Sequence, residues 1–222
     1  MRGELFVYSP EARLVAFQSA APARDGGASA SSAPAADVLV FIGGLSDGFL
    51  ATPYVERLAD ALTGAGWALV QARRIFPHFA CPLRLIHRGP QVLLSSSYGG
   101  WGTASLSRDA DELAALVAHL RAERGAVRVA LMGHSTGCQD IVALLRRGDA
   151  AARVNAVVLQ APVSDRDYLA TLPDTAARLA AAQAMLADGR GEQLLPLAHD
   201  GARTQQTPAP AALSVQCDAS GL

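Results

Sequence analysis

Lysine is absent from this chain, and all 19 basic residues are arginines. That excludes Schiff-base catalysis, pyridoxal phosphate anchoring and a Walker-type phosphate loop, each of which requires an amine. No apolar run approaches the ~18 residues of a membrane span. The opening residues, MRGELFVYSPEAR, lack the basic, apolar and small-residue order of a secretory signal. Neither sign of charge is in excess, with 19 basic against 20 acidic residues and no basic cluster, so the footprint of a nucleic-acid binder is missing. Three cysteines, Cys81, Cys138 and Cys217, lie far apart. They make neither a metal cluster nor a disulfide framework, and they fit a reducing, cytoplasmic compartment.

What is present is a large apolar fraction, 50% of 222 residues, enough to bury the core of one domain and too short for two. Strand and helix signals alternate, the pattern of a mostly parallel sheet with helices on both faces. Glu4–Tyr8 and Arg13–Gln18 read as an opening hairpin around Ser9-Pro10. Residues 19–36, poor in large apolar groups, are expected to form a flexible loop. Asp37–Ile42 is a continuous β-branched and aromatic run, as a strand buried on both faces requires, and it ends in Gly43-Gly44. Thr52-Pro53 reads as a helix start, with Val55, Leu58 and Leu62 on one face and Gly64 and Gly66 as the stop. Trp67–Ala72 is the next strand.

Ser107 reads as the cap of the longest helix, whose apolar stripe is Leu113, Leu116, Val117 and Leu120. Val127–Met132 is expected to be a strand, followed by a helix carrying Ile141, Leu144 and Leu145. Ala156–Gln160 is the last strand legible, and Asp174–Ala187 the last helix. The domain is therefore expected to occupy residues 1–195, with 196–222 an irregular tail lacking periodicity.

The chemistry concentrates at Gly133-His134-Ser135-Thr136-Gly137, a G-x-S-x-G between a buried strand and an amphipathic helix. A serine on such a tight turn adopts a strained backbone, which small residues two before and two after make room for. The turn lifts the hydroxyl above the sheet, and the following helix points its positive end at a developing oxyanion. Two backbone N–H groups must converge on that oxyanion. Thr136 supplies one. The other is expected from the loop Gly43-Gly44-Leu45-Ser46-Asp47-Gly48, where the glycines allow close approach and Leu45 N–H is the donor. The bland alternatives are a glycine turn and a serine that merely caps its helix.

These residues carry a resemblance. The chain resembles an α/β-hydrolase, and more narrowly the formerly uncharacterised hydrolase family that includes fungal siderophore (fusarinine-type) esterases. The matching blocks are Phe41–Gly48, Leu94–Thr103, Asp109–Leu113, Leu131–Asp140 and Leu159–Arg166. The resemblance implies a serine hydrolase acting on a carboxylic ester or related acyl bond of a small molecule, without metal or cofactor.

Two departures accompany it. Residues 73–92, RRIFPHFACPLRLIHRGPQV, interrupt a strand-to-loop junction that the family crosses almost directly, an insertion that reads as a retained intron or alternative exon more than as a lid. The triad of such hydrolases runs Ser, Asp or Glu, then His. Here the sheet reads as cut short at its C-terminal edge, as in a truncated or alternatively spliced member. Asp165 is the best remaining acid, and His199 is the sole histidine after Ser135. Tyr98 and Trp101 are candidates to line a substrate pocket. The competing expectation is a non-catalytic isoform that keeps the pocket and lacks the base.

Overall fold

The computed structural model describes residues 1–11, 14–20, 37–44, 47–74, 106–148, 154–191, 193 and 195. Six strands, β1 (Gly3–Ser9), β2 (Leu14–Ser19), β3 (Asp37–Ile42), β4 (Trp67–Arg74), β5 (Val129–His134) and β6 (Ala156–Gln160), form one sheet in the order β1-β2-β4-β3-β5-β6. The first two form an antiparallel hairpin, and β2 adds antiparallel to β4. The rest is parallel, β4 with β3, β3 with β5, and β5 with β6. Helices α1 (Val55–Gly64), α2 (Leu106–Ala122), α3 (Gly137–Arg146), α4 (Asp165–Ala170) and α5 (Thr175–Ala187) complete the described elements.

Strand β3 shows why its sequence has no polar alternation. Val38, Val40 and Ile42 pack with Leu113, Leu116 and Leu120 of α2 and Ile141 and Leu144 of α3. Leu39 and Phe41 point the other way, onto Val55 and Ala59 of α1. Both faces are dry from Val38 to Ile42, so each of those positions is apolar, and the one polar residue, Asp37, stands at the partly exposed start. In contrast β6, the last strand of the described sheet, leaves Val158 and Leu159 substantially exposed.

After β3 the chain turns to β4 on one side, and β5 then takes the other side. The order in which strands are added therefore reverses between β3 and β5, while the two strands stay parallel. Ligands of open α/β sheets bind outside the carboxyl ends of the strands at such a switch point. Ile42 of β3 is in register with Gly133 of β5, so the Gly43-Gly44 loop and the Gly133–Gly137 turn leave the sheet side by side.

The α/β architecture expected from the sequence is the one observed, with corrections at element ends. Helix α1 begins at Val55 with Tyr54 as its N-cap, and Thr52 precedes it, its carbonyl accepting the Val55 N–H. Ser107 is not a cap but sits inside α2, which already includes Leu106, and its hydroxyl and carbonyl accept hydrogen bonds from Arg147. Strand β5 starts at Val129 rather than at Val127, whose side chain is 61% exposed, and it extends to His134. Helix α4 was not expected. It carries no buried residue, and its signal is the Ser164 hydroxyl accepting the Asp167 N–H. The 19–36 loop beyond Ala20, most of the 73–92 insertion and the tail lie outside the described residues.

Candidate active site

Ser135 occupies the first turn position after β5 with φ of +55°, a left-handed backbone rare for a residue with a side chain. Its N–H donates to the Gln160 carbonyl at the end of β6 (3.1 Å), and its own carbonyl accepts the Cys138 N–H (3.0 Å). The turn is thus tied to the neighbouring strand on one side and to α3 on the other. Strain of this kind, of order 1–3 kcal/mol, persists only where the surroundings enforce it.

The flanking glycines are enforced by contact rather than by their own dihedrals. A β-carbon at Gly133 would lie 2.7 Å from both the Cys138 nitrogen and the Gly137 oxygen. One at Gly137 would collide with the carbonyls of Ile42 and Gly43. Helix α3 therefore starts pressed onto the end of β3, which no larger residue would allow.

Thr136 is the N-cap of α3, and among the described residues its N–H has no hydrogen-bond partner. It lies at the positive end of the helix, where an anion is stabilised. Gly44 faces the serine: a β-carbon there would be 3.1 Å from Ser135 Cβ. Its own N–H is already engaged, donating to Asp47 Oδ2 at 2.7 Å. Gly44 thus brings backbone up to Ser135 without offering a free donor of its own. Leu45, the donor expected from the sequence, lies outside the described residues.

His134 precedes the serine as the last residue of β5. Its Nδ1 lies 3.4 Å from Asp47 Oδ2, so the ring turns toward the loop that follows β3. Asp165 opens α4, and its Oδ2 accepts a hydrogen bond from Gln139 Nε2 of α3 at 3.1 Å. The fold thereby brings Asp165 to the helix that follows Ser135, four positions beyond the serine. His199, Tyr98 and Trp101 lie outside the described residues. His119 stacks on Phe6 at 5.3 Å, and burial lowers its pKa from the ordinary value.

Cys138 is buried, with its Sγ donating to the Gly133 carbonyl at 3.2 Å, and burial pushes its thiol pKa up. The helix terminus does not make it a thiolate. Burial, then the charge of Asp47, also raises Tyr54, whose hydroxyl donates to Gln160 Oε1 at 2.7 Å. Among the described residues no group of three or more His, Cys, Asp or Glu side chains is placed to hold a metal ion.

Sequence reasoning passed over Asp47, Tyr54, Gln139 and Gln160, which surround the turn. Of these, the Asp47 side chain alone bonds a residue close in sequence, the Gly44 N–H three positions earlier.

Comparison with known proteins places the chain. A family model described as "Protein of unknown function (DUF1749)" matches residues 9–76 and 89–217. The chain belongs to the DUF1749 family. It is 35% identical over 159 residues to UPF0613 protein PB24D3.06c of Schizosaccharomyces pombe, covering 70% of this chain and 43% of that protein. It is 30% identical over 188 residues to Esterase AN6793 of Emericella nidulans, covering 72% and 42%. A match to the fusarinine C esterase sidJ of Aspergillus fumigatus is 29% identical over 154 residues, covering 59% and 38%. The DUF1749 chain thus spans less than half the length of these relatives. Among solved structures, an α/β hydrolase fold protein of unknown function superposes with a TM-score of 0.55 at 25% identity, covering 87% of this chain and 56% of the other. Est1E from Butyrivibrio proteoclasticus matches at 0.52 and 13% identity, covering 97% and 70%, a likeness of fold. The fold is that of the α/β hydrolases.

Proposed function

We propose that this DUF1749 chain carries the nucleophile and oxyanion side of a serine hydrolase that cleaves a carboxylic ester of a small molecule. The observation that carries this reading is Ser135 held at φ +55° between β5 and α3. A fold keeps a strained non-glycine residue at a switch-point turn when its side chain has work there. The hydroxyl attacks the acyl carbon, the Thr136 N–H and a second N–H from the loop after β3 hold the oxyanion, and a histidine takes the proton. Asp165 and His199 are the acid and base this chain offers, and Tyr98 and Trp101 the pocket aromatics. The esterase names of two relatives support an ester over an amide substrate, and one of them favours a siderophore-type ester. No metal or cofactor is needed for this chemistry.

A second reading is a chain that holds the site without turning over, and it turns on whether His199, the sole histidine following Ser135 in this sequence, reaches the Ser135 hydroxyl. A hydroxyl without its base is a weak nucleophile.

The test is a fluorophosphonate probe on the purified chain, with Ser135→Ala as control, beside hydrolysis of short p-nitrophenyl esters. Adduct on Ser135 is expected. Adduct on Ser95, Ser96 or Ser97 rejects the nucleophile assignment. Robust ester turnover abolished by His199→Ala selects the complete enzyme over the silent one.

A further inference from the structure

We infer that Gln160 is a substrate-binding residue of this site: its carboxamide nitrogen donates to an acceptor oxygen on the acyl part of the ester, and Tyr54 is the positioning residue that aims it. The inference rests on the reading of Ser135 as nucleophile. Gln160 is the last residue of β6, in register with His134 of β5. Its carbonyl accepts the Ser135 N–H at 3.1 Å, so its main chain is fixed to the serine's own turn. Side chains in register on neighbouring strands rise from the same face of a sheet. On that face the His134 ring meets Asp47 of the loop after β3, and the Gln160 amide meets Tyr54, the N-cap of α1. The β-carbon position of Gly44 links this face to the serine, 3.4 Å from His134 Nδ1 and 3.1 Å from Ser135 Cβ. Gln160 therefore stands at the carboxyl end of the sheet, beside the switch point where ligands of such folds bind.

A carboxamide has two different ends, an acceptor oxygen and a donor nitrogen. Here the oxygen is taken, because the Tyr54 hydroxyl donates to Gln160 Oε1 at 2.7 Å. Tyr54 is itself held, its ring edge-on to buried Phe41 with 6.1 Å between centroids. Burial, then the charge of Asp47, keeps its hydroxyl protonated and so able to donate. Fixing Oε1 turns Nε2 away from Tyr54, and among the described residues Nε2 has no hydrogen-bond partner. Gln160 is only partly buried, so this donor is open to a ligand. An oxygen that accepts, a carbonyl or a hydroxyl, satisfies it. The acyl part of the ester becomes bonded to Ser135, so a donor tied to the Ser135 turn reads that part rather than the leaving alcohol. An acyl group with an oxygen close to its carboxyl carbon is therefore preferred over a plain alkyl chain.

The test labels Ser135 with two fluorophosphonates of equal length, one with a plain methylene chain on phosphorus and one with a ketone carbonyl in that chain near phosphorus. The readout is the ratio of their half-saturating concentrations in the parent, Gln160→Glu and Tyr54→Phe, at mildly alkaline pH. That ratio is insensitive both to the intrinsic reactivity of each phosphorus and to the fraction of a variant that is folded. One hydrogen bond of ordinary strength corresponds to a preference of roughly 3- to 10-fold. The parent is expected to favour the carbonyl probe by that factor. Gln160→Glu keeps an oxygen for Tyr54 but presents a second acceptor to the probe, and should abolish or invert the preference. Tyr54→Phe releases the amide and should clearly reduce it. No preference in the parent, or an unchanged one in either variant, overturns the inference and leaves the hydrolase reading standing. No labelling of Ser135 by either probe in the parent rejects the hydrolase reading, and this role with it.

Discussion

The α-carbon of Gly137 is turned toward the Gly43 carbonyl so closely that a β-carbon would stand 2.5 Å from that oxygen. The first turn of α3 and the end of β3 are therefore in backbone contact, with no side chain able to separate them. That contact sets how near the Ser135 turn and the Gly43-Gly44 loop come to each other.

Gly137→Ala must push two rigid elements apart, and overpacking of this kind costs about 1–3 kcal/mol. The expected result in chemical denaturation is a loss of that size. Gly64→Ala is the contrast. Gly64 is the last residue of α1 and has nothing within 4 Å of its β-carbon position. There alanine should stabilise by roughly 0.5–1 kcal/mol, because it restricts the unfolded chain and suits a helix. Equal effects at the two glycines would mean that close packing is not what holds Gly137.

Ser135 sits in the left-handed region of backbone space, where a side chain costs roughly 1–2 kcal/mol. Both Ser135→Ala and Ser135→Gly should abolish probe labelling. Glycine relieves the strain and alanine keeps it, although glycine also gains freedom when unfolded. Ser135→Gly should therefore exceed Ser135→Ala in unfolding free energy by about 1 kcal/mol. A more stable alanine variant would show that the turn is not strained.

The parts legible in the sequence are those where one physical cause acts locally. Strand β3 was legible to the residue because burial on both faces makes Val38–Ile42 an unbroken apolar run after its one polar residue, Asp37 at the start. The turn at Ser135 was legible because Gly133 and Gly137 are needed two residues either side of it. Ends were harder. Ser107 has the chemistry of a cap, yet the helix already includes Leu106, and Arg147 takes the Ser107 hydroxyl from the other end of α3. Val127 looks like a strand residue, but the next N–H, of Arg128, donates to the Asp37 carboxylate before β5 begins. Helix α4 buries nothing, so it has no apolar stripe to read. The polar ring around the serine was invisible for a different reason. Tyr54 and Gln160 are 106 positions apart, and His134 and Asp47 are 87 apart, so only the fold brings them together.

That ring yields a coupling test. The Tyr54 hydroxyl donates to Gln160 Oε1, while the Gln160 carbonyl holds the Ser135 N–H. Tyr54→Phe leaves a partly buried amide oxygen unpaired and should cost about 1 kcal/mol. Gln160→Ala should cost a similar amount. If the hydrogen bond is the shared cause, the double variant loses less than the sum by ~1 kcal/mol. Strict additivity would mean that the two side chains act independently.

The last prediction concerns Asp140, five residues after the serine on α3. Its side chain is fully buried, and neither carboxylate oxygen has a hydrogen-bond partner among the described residues. Burial, reinforced by the charge of Glu112 on the facing helix α2, raises its pKa to about 7. Glu112 in turn accepts a hydrogen bond from Arg108, and Asp109 is the other buried acid on that helix. The folded protein therefore binds the Asp140 proton more tightly than the unfolded chain, whose value is near 3.8. The stability this provides is fully present below about pH 4 and is lost as pH rises through the folded value of about 7. Replacing the carboxyl with an amide removes that titration. Relative to Asp140→Asn, the parent should lose stability by up to ~1.4 kcal/mol per pH unit across this window and run parallel above it. Parallel curves from pH 4 to pH 7 would show that Asp140 titrates alike in the folded and unfolded chain, and would overturn its raised pKa.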